Sequence, residues 1–150
     1  MADSLTPEKR SWNMSRIKSK NTKPGIYLRK LLFAGGYRYQ IAPKAIPGHP
    51  DIYLKKYNTA IFVHGCYWHR HSGCKYAYTP KTRVDFWEKK FASNIERDKC
   101  VKNELVQKGI RQIVVWECTI NSMMRDNTFK TAILEEIEAF FLGNTASIEM

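Results

Sequence analysis

The residues best suited to chemistry are concentrated in one segment, His64–Cys74, which reads HGCYWHRHSGC. Cys66, His71 and Cys74 within this segment have the spacing C-x4-H-x2-C. Thiolate and imidazole ligands at this density suit tetrahedral zinc. The alternative is a pair of buried thiols with surface histidines. We favour zinc because a short irregular loop needs a crosslink, and a bound metal supplies one.

A structural zinc site requires a fourth ligand, and the chain contains two further cysteines. Cys118 follows a predicted strand, and the end of a strand can lie close to a loop that leaves a neighbouring strand, so its thiol is a good candidate. Cys100 falls in the middle of a charged predicted helix and is the poorer candidate. We expect the chain in the cytoplasm, where disulfides are disfavoured, because it shows neither a signal-peptide pattern nor a membrane-spanning apolar run.

A second candidate site is Asp51, which begins one predicted hairpin strand opposite the end of the next strand, residues 62–64. A carboxylate there suits a hard cation, which nucleases use to activate water and to stabilise charge on phosphate. The alternative is an ordinary turn residue after Gly48–Pro50. The remaining ionisable candidates, suited to general acid–base catalysis, are His64, His69 and Asp98.

Net charge and aromatic content both favour a nucleic-acid partner. Lys and Arg total 25 against 14 acidic residues, a net charge of +11, and they are scattered as expected for a folded binding surface. A basic but merely soluble protein is the alternative. Exposed rings stack on bases or wedge between them, and the candidates are Tyr67, Trp68 and Trp87. Core packing is the alternative for these rings, and for Phe86 we prefer it.

Periodicity predicts one α/β domain with helices around a mixed sheet. Predicted helices follow Thr6-Pro7, run from an Asn21 or Thr22 cap to Gly35-Gly36, from Thr82 to Gly109, and from Thr128 to Gly143. Predicted strands cover residues 37–41, 51–54, 59–64 and 110–116, the middle two forming an antiparallel hairpin.

The chain resembles the very-short-patch mismatch repair (Vsr) endonucleases over residues 10–142. The resemblance rests on RSWNM at 10–14, LRKLL at 28–32, PGHPD at 47–51, FVHGCYWH at 62–69, NIERD at 94–98 and VVWEC at 114–118. The HGCYWH block is the most specific of these. Several such blocks in the same order make a coincidence improbable.

The resemblance implies a restriction-endonuclease-like α/β/α sandwich with a structural zinc. It also implies magnesium-dependent nicking of one strand of duplex DNA beside a T:G mismatch, which arises when 5-methylcytosine deaminates. We expect a monomer, and mismatch-repair proteins are candidate further partners. The expected organisation is a DNA-contacting arm at 1–20, a catalytic domain at 21–143 and a tail at 144–150.

The resemblance also assigns roles to individual residues. Asp51 would bind magnesium beside the backbone carbonyl of Val63. His69 would be the general base, with His64 and Asp98 as supporting residues. The zinc ligands would be Cys66, His71, Cys74 and Cys118. The DNA-contacting residues would be the intercalating Tyr67, Trp68 and Trp87, and Asn13 and Met14 of an arm in the minor groove.

Two positions depart from the family pattern. Gly25 stands where the family commonly has Glu, which removes an acidic side chain from the metal environment and weakens the helix start. Gly73 lengthens the zinc loop by one residue, which still permits ligation. The first departure makes a catalytically impaired mismatch-binding protein one alternative function. A restriction-type endonuclease of the same fold is the other.

Overall fold

A four-stranded mixed sheet, in the order β1-β2-β3-β4, forms the centre of the fold. The strands are β1 Ile52–Leu54, β2 Thr59–His64, β3 Arg111–Trp116 and β4 Ser147–Glu149. β1 is antiparallel to β2, whereas β2, β3 and β4 are mutually parallel. The computed structural model describes residues 7–8 and 22–150, so the expected DNA contacts of Asn13 and Met14 lie outside the described residues.

Helices cover both faces of this sheet. They are α1 Lys23–Ala34, α2 Val84–Gln107, α3 Glu117–Arg125 and α4 Asn127–Leu142, and a 3-10 turn, Lys55–Tyr57, joins β1 to β2. Ile61 and its neighbours on one face pack against α1, α3 and α4, whereas Phe62 on the other face packs against α2. Neighbouring strand residues alternate between faces, which produces this division. The expected α/β fold around a mixed sheet is confirmed.

Within the described ranges, none of the helices combines the length and the apolar character that a membrane crossing requires. The expected cap of α1 is confirmed, because the Thr22 side chain accepts a hydrogen bond from the N–H of Gly25 at 3.3 Å. The expected Thr82 start of α2 is wrong. Arg83 precedes that helix in a left-handed conformation with a φ of 53°, and its side chain makes no capping hydrogen bond.

The polar segment 117–125 forms α3, which the sequence pattern did not predict. Asp126, and not Thr128, begins the last helix, because its carboxylate accepts hydrogen bonds from the N–H groups of Thr128 and Phe129. The predicted strand at 37–41 is also wrong. Gln40 forms only an isolated bridge with Tyr53, and Ala42 then turns the chain with a φ of 44°.

The segment 144–150, expected to be a tail, contains the fourth strand. The N–H of Met150 donates to the carbonyl of Val114 at 2.9 Å, and the N–H of Trp116 donates to the carbonyl of Met150 at 2.9 Å. Ile148 and Met150 pack against the main core. A strand of three residues is too short to show alternation, so the sequence alone did not reveal it.

Removal of residues 147–150 is expected to lower the free energy of unfolding by about 2–4 kcal/mol, because ladder hydrogen bonds and buried apolar contacts are lost together. Denaturant titration measures this change. Leu142→Ala is the control, since that side chain is 76% exposed and its loss is expected to matter little. A shortened chain as stable as the parent would show that β4 contributes nothing to stability.

Candidate active site and metal centre

Asp51 lies immediately before β1, against the end of β2, as the hairpin predicts. Its carboxylate accepts a hydrogen bond from the N–H of Val63 at 2.7 Å. The N–H and C=O of a strand residue point to the same side, so the carbonyl of Val63 leaves the strand on the side of Asp51. Burial raises the pKa of Asp51, and the Val63 N–H and the positive charge of Arg29 act in the opposite direction. A cation beside this carboxylate would offset the cost of its buried charge.

His69 is oriented by Asp98, which α2 supplies. The Nδ1 atom of His69 lies 2.7 Å from a carboxylate oxygen of Asp98. In a neutral imidazole, a contact of Nδ1 with a carboxylate favours the tautomer that carries its proton on Nδ1 and its lone pair on Nε2. A histidine held in this way is equipped to take a proton from a nucleophile.

His64 stacks on His69, with ring centroids 3.9 Å apart and an interplanar angle of 4°. Burial, together with the neighbouring His69, lowers the pKa of His64 to about 4. His64 is therefore neutral at pH 7 and brings no positive charge against the His69 ring. Donor atoms of His64, His69 and Asp98 all lie within 4.8 Å of one another, so the fold gathers all three sequence candidates.

The four expected zinc ligands form a second cluster. Donor atoms of Cys66, His71, Cys74 and Cys118 lie within 4.8 Å of one another. The thiol sulfur of Cys118 is 3.4 Å from Nδ1 of His71, close to the edge of about 3.6 Å that a tetrahedral zinc with one S and one N ligand requires. Cys100 is exposed on α2 and takes no part in the cluster.

The chemistry of this donor set fits zinc. Burial and the adjacent Cys118 thiol raise the pKa of Cys66 to about 12, so in the metal-free protein its thiol stays protonated. A bound divalent cation reverses that preference and deprotonates the ligating thiols. Four protein ligands would leave zinc no open position, and the site would be structural.

Trp116, at the end of β3, lies between the two clusters, and the sequence analysis gave it no role. Its ring stacks on that of His71, with centroids 4.2 Å apart and an interplanar angle of 7°. It makes an edge contact with the ring of His64, with centroids 5.4 Å apart and an interplanar angle of 72°. Its indole N–H donates to the carboxylate of Glu149 in β4 at 3.2 Å. β2 and β3 are parallel, and their register places Trp116 beside His64. A sequence analysis that paired these two strands would have found Trp116 next to His64.

The aromatic candidates Tyr67, Trp68 and Trp87 also meet. The Tyr67 ring is 5.2 Å from Trp68 and 5.6 Å from Trp87, and Trp68 is 5.7 Å from Trp87. Asn94, buried on α2, donates to the backbone carbonyl of Trp68 at 3.0 Å and so ties the loop after β2 to that helix. Sequence reasoning assigned Asn94 no individual role.

Phe86 does not belong to the core, and the expectation that it does was wrong. Its side chain is 46% exposed, and its ring lies 5.2 Å from that of Trp87. The guanidinium of Arg83 lies over it, 4.4 Å from the ring centroid. Phe86 is at position 3 of α2, and the buried residues of this helix start only at Phe91, which helical periodicity alone does not reveal.

A cleft of about 950 Å³ is lined by Asp51, His64, His69 and Asp98, and it reaches the expected zinc ligand His71. Its lining includes four basic side chains, Arg70, Arg97, Lys99 and Lys102, against the three acidic ones of Asp51, Asp98 and Glu149. Positive charge around a concave site attracts a polyanion such as a phosphodiester backbone. The geometry therefore combines a carboxylate for a cation, an oriented histidine and a cleft with several basic side chains.

Comparisons with known proteins agree with this chemistry. The family profile described as DNA mismatch endonuclease Vsr matches residues 2–75. The type II nicking enzyme V.NmeAIP of Neisseria meningitidis is 46% identical over 122 residues, which span 81% of this chain and 86% of that protein. The type II nicking enzyme V.XorIIP of Xanthomonas oryzae pv. oryzae is 41% identical, over 82% of this chain and 90% of that protein.

The DNA mismatch endonuclease Vsr of Escherichia coli K12 is 34% identical over 150 residues, which span 100% of this chain and 94% of that protein. Fold, site and comparisons together define an enzyme of the nuclease class. The chain belongs to the Vsr family of endonucleases.

Proposed function

We propose that this enzyme nicks one strand of duplex DNA beside a T:G mismatch, in a reaction that depends on magnesium. One observation carries the proposal: a carboxylate suited to a cation and an oriented histidine open into one cleft, and this cleft also reaches His71, one of the four zinc-type ligands. The names of two relatives, both type II nicking enzymes, favour cleavage of a single strand. The choice of a T:G mismatch as the substrate rests on the resemblance to mismatch endonucleases.

In this proposal Asp51 and the backbone carbonyl of Val63 hold magnesium. When bound, the metal lowers the pKa of its water and stabilises charge on the phosphate. Nε2 of His69 accepts the proton of the attacking water, and Asp98 stabilises the positive charge that the ring then acquires. Neutral His64 fixes the plane of that ring by stacking. The basic side chains of Arg97, Lys99 and Lys102 in the cleft position the phosphodiester.

A catalytically impaired mismatch binder is the second candidate function, and the surroundings of Gly25 favour it. A Cβ atom added to Gly25 would lie 3.7 Å from a carboxylate oxygen of Asp51. A glutamate at this position would thus stand beside the magnesium carboxylate, and this chain lacks it. With Asp51 as the sole side-chain carboxylate assigned to the metal, weak metal affinity is the route by which activity would be lost.

Nicking of end-labelled duplexes separates the alternatives. The proposal expects cleavage of one strand of a T:G duplex with magnesium, no cleavage of the matched duplex, and none when magnesium is omitted. Binding of the T:G duplex without cleavage at any magnesium concentration would identify the impaired binder. Cleavage of matched duplexes at a defined sequence would identify a restriction-type enzyme instead.

Trp68→Ala is expected to weaken binding to T:G duplex by about 1–3 kcal/mol, the usual loss for one base–aromatic stack. Inserting an aromatic ring between base pairs costs unstacking free energy, and this cost is lowest beside the wobble pair, where stacking is already poor. Affinity for matched duplex, mostly electrostatic, is expected to change much less. Fluorescence anisotropy with both duplexes measures the two constants. Equal losses on both would mean that Trp68 supports the fold and does not read the lesion.

A further inference from the structure

Two exposed aromatic side chains have no role in the function described above. Tyr78 is 65% exposed and Phe86 is 46% exposed. Each ring contacts one of the expected wedge residues: Tyr78 lies 5.1 Å from Tyr67, and Phe86 lies 5.2 Å from Trp87. Tyr78, Tyr67, Trp68, Trp87 and Phe86 thus form one continuous aromatic surface, with Tyr78 and Phe86 at its two ends.

The Tyr78 end of this surface is held in place by Arg70. The guanidinium of Arg70 donates to the backbone carbonyls of Ala77 at 2.9 Å and Tyr78 at 3.0 Å. The same group lies 4.0 Å from the ring centroid of Phe91, a buried residue of α2. An exposed ring on a segment fixed in this way loses little conformational entropy on binding, so its contact area contributes to affinity.

The Phe86 end is rigid for a different reason, because it lies in the first turn of α2. Arg83 stacks on one face of its ring at 4.4 Å and brings a positive charge to the edge of the aromatic surface. An apolar ring left in water is unfavourable, and contiguous exposed rings mark a surface that a partner covers.

Charge selects the kind of partner. Between residues 67 and 91 the chain has six basic and two acidic residues, a net charge of +4. Rings interspersed with cations suit bases and phosphates, because the rings stack while Arg and Lys neutralise the backbone. A typical protein surface offers no such excess of negative charge. DNA is therefore the occupant that this surface fits.

We infer that Tyr78 and Phe86 contact the nucleotides on either side of the mismatch, flanking the wedge. The inference rests on the proposed function, since it takes T:G duplex as the ligand. Rings at both ends of the surface lengthen the stretch of distorted duplex that the protein senses. They make affinity depend on the base pairs next to the lesion as well as on the lesion itself.

The test measures the affinity of the full chain for T:G and matched duplexes by fluorescence anisotropy. Tyr78→Ala and Phe86→Ala are each expected to bind T:G duplex about 5-fold more weakly, the lower end of the range for a lost base–aromatic stack. The slope of log Kd against log salt is expected to stay unchanged, because no phosphate contact is removed. Tyr78→Phe keeps the ring and is expected to restore affinity.

Phe33→Ala is the matched control. Phe33 is 54% exposed and has a guanidinium, that of Arg38, 4.0 Å from its ring centroid, yet it lies on α1 outside the aromatic surface. Either test variant binding as tightly as Phe33→Ala would overturn the inference. If the parent chain binds T:G duplex no more tightly than matched duplex, the proposed function itself fails, so the two failures are distinguishable.

Discussion

Asp51→Asn is expected to slow nicking of a T:G duplex by about 10³-fold, because the carboxylate that holds magnesium is replaced by a neutral amide. Affinity for the same duplex is expected to stay equal or to rise, since a negative charge near phosphate is removed. Asparagine retains an oxygen that accepts the hydrogen bond that Val63 gives to Asp51 at 2.7 Å. The change thus isolates charge from local structure. Single-turnover nicking and anisotropy measure the two effects separately.

Thermal stability offers a second readout for the same variant. Burial raises the pKa of Asp51, so the folded state holds this proton more tightly than the unfolded state. The contribution of this group to the free energy of unfolding is largest below its pKa in the unfolded state, and it declines as pH rises through its pKa in the folded state. Asp51→Asn removes the cost of burying an ionised carboxylate, so the Tm of this variant at pH 7 without magnesium is expected to exceed that of the parent. Added magnesium is expected to raise the Tm of the parent alone.

Two results would count against this account of Asp51. A variant that nicks at the parent's rate would remove Asp51 from catalysis. A variant that loses folding, binding and cleavage together would make Asp51 a structural residue of the hairpin. The second outcome is the one that its sequence position, a turn before a strand, would favour on its own.

The sequence predicted the candidate site better than it predicted the boundaries of the fold. The residue types and spacing of Cys66, His71 and Cys74 indicate a metal site directly, because such sites have few geometries. Asp51 was placed correctly because a hairpin fixes which residues face each other. These inferences depend on short-range geometry, which a local pattern contains.

The features that were missed depend on contacts between distant segments. β4 is stabilised by pairing with β3, and its three residues have no pattern of their own. Trp116 contacts His64 and His71 of one segment and Glu149 near the end of the chain, so its position depends on parts of the chain that lie far apart in sequence. Phe86 has helical periodicity typical of a core residue, but it lies beyond the sheet that would cover it. Tertiary placement, which periodicity does not encode, decided each case.

Cys118→Ala is expected to abolish stoichiometric zinc and to lower the free energy of unfolding by about 4 kcal/mol or more, the range in which loss of a metal site is diagnostic. Cys118 is in the first turn of α3, whereas the other three expected ligands are in the loop after β2. The metal would therefore join the irregular loop after β2 to the helix that follows the neighbouring strand β3. Without that crosslink the loop pays its full ordering entropy on folding.

Metal analysis and denaturant titration of protein purified without chelator test this expectation. The parent is expected to hold about one zinc per chain, and a strong chelator is expected to lower the Tm of the parent but not that of Cys118→Ala. Cys100→Ala is the matched control, because that thiol is exposed on α2, 3.9 Å from a Glu96 oxygen and outside the ligand cluster. Its zinc content and stability are expected to equal those of the parent. If instead Cys118→Ala retains its zinc, the fourth ligand is another residue, and the loop is fixed by packing on Trp116 and α2.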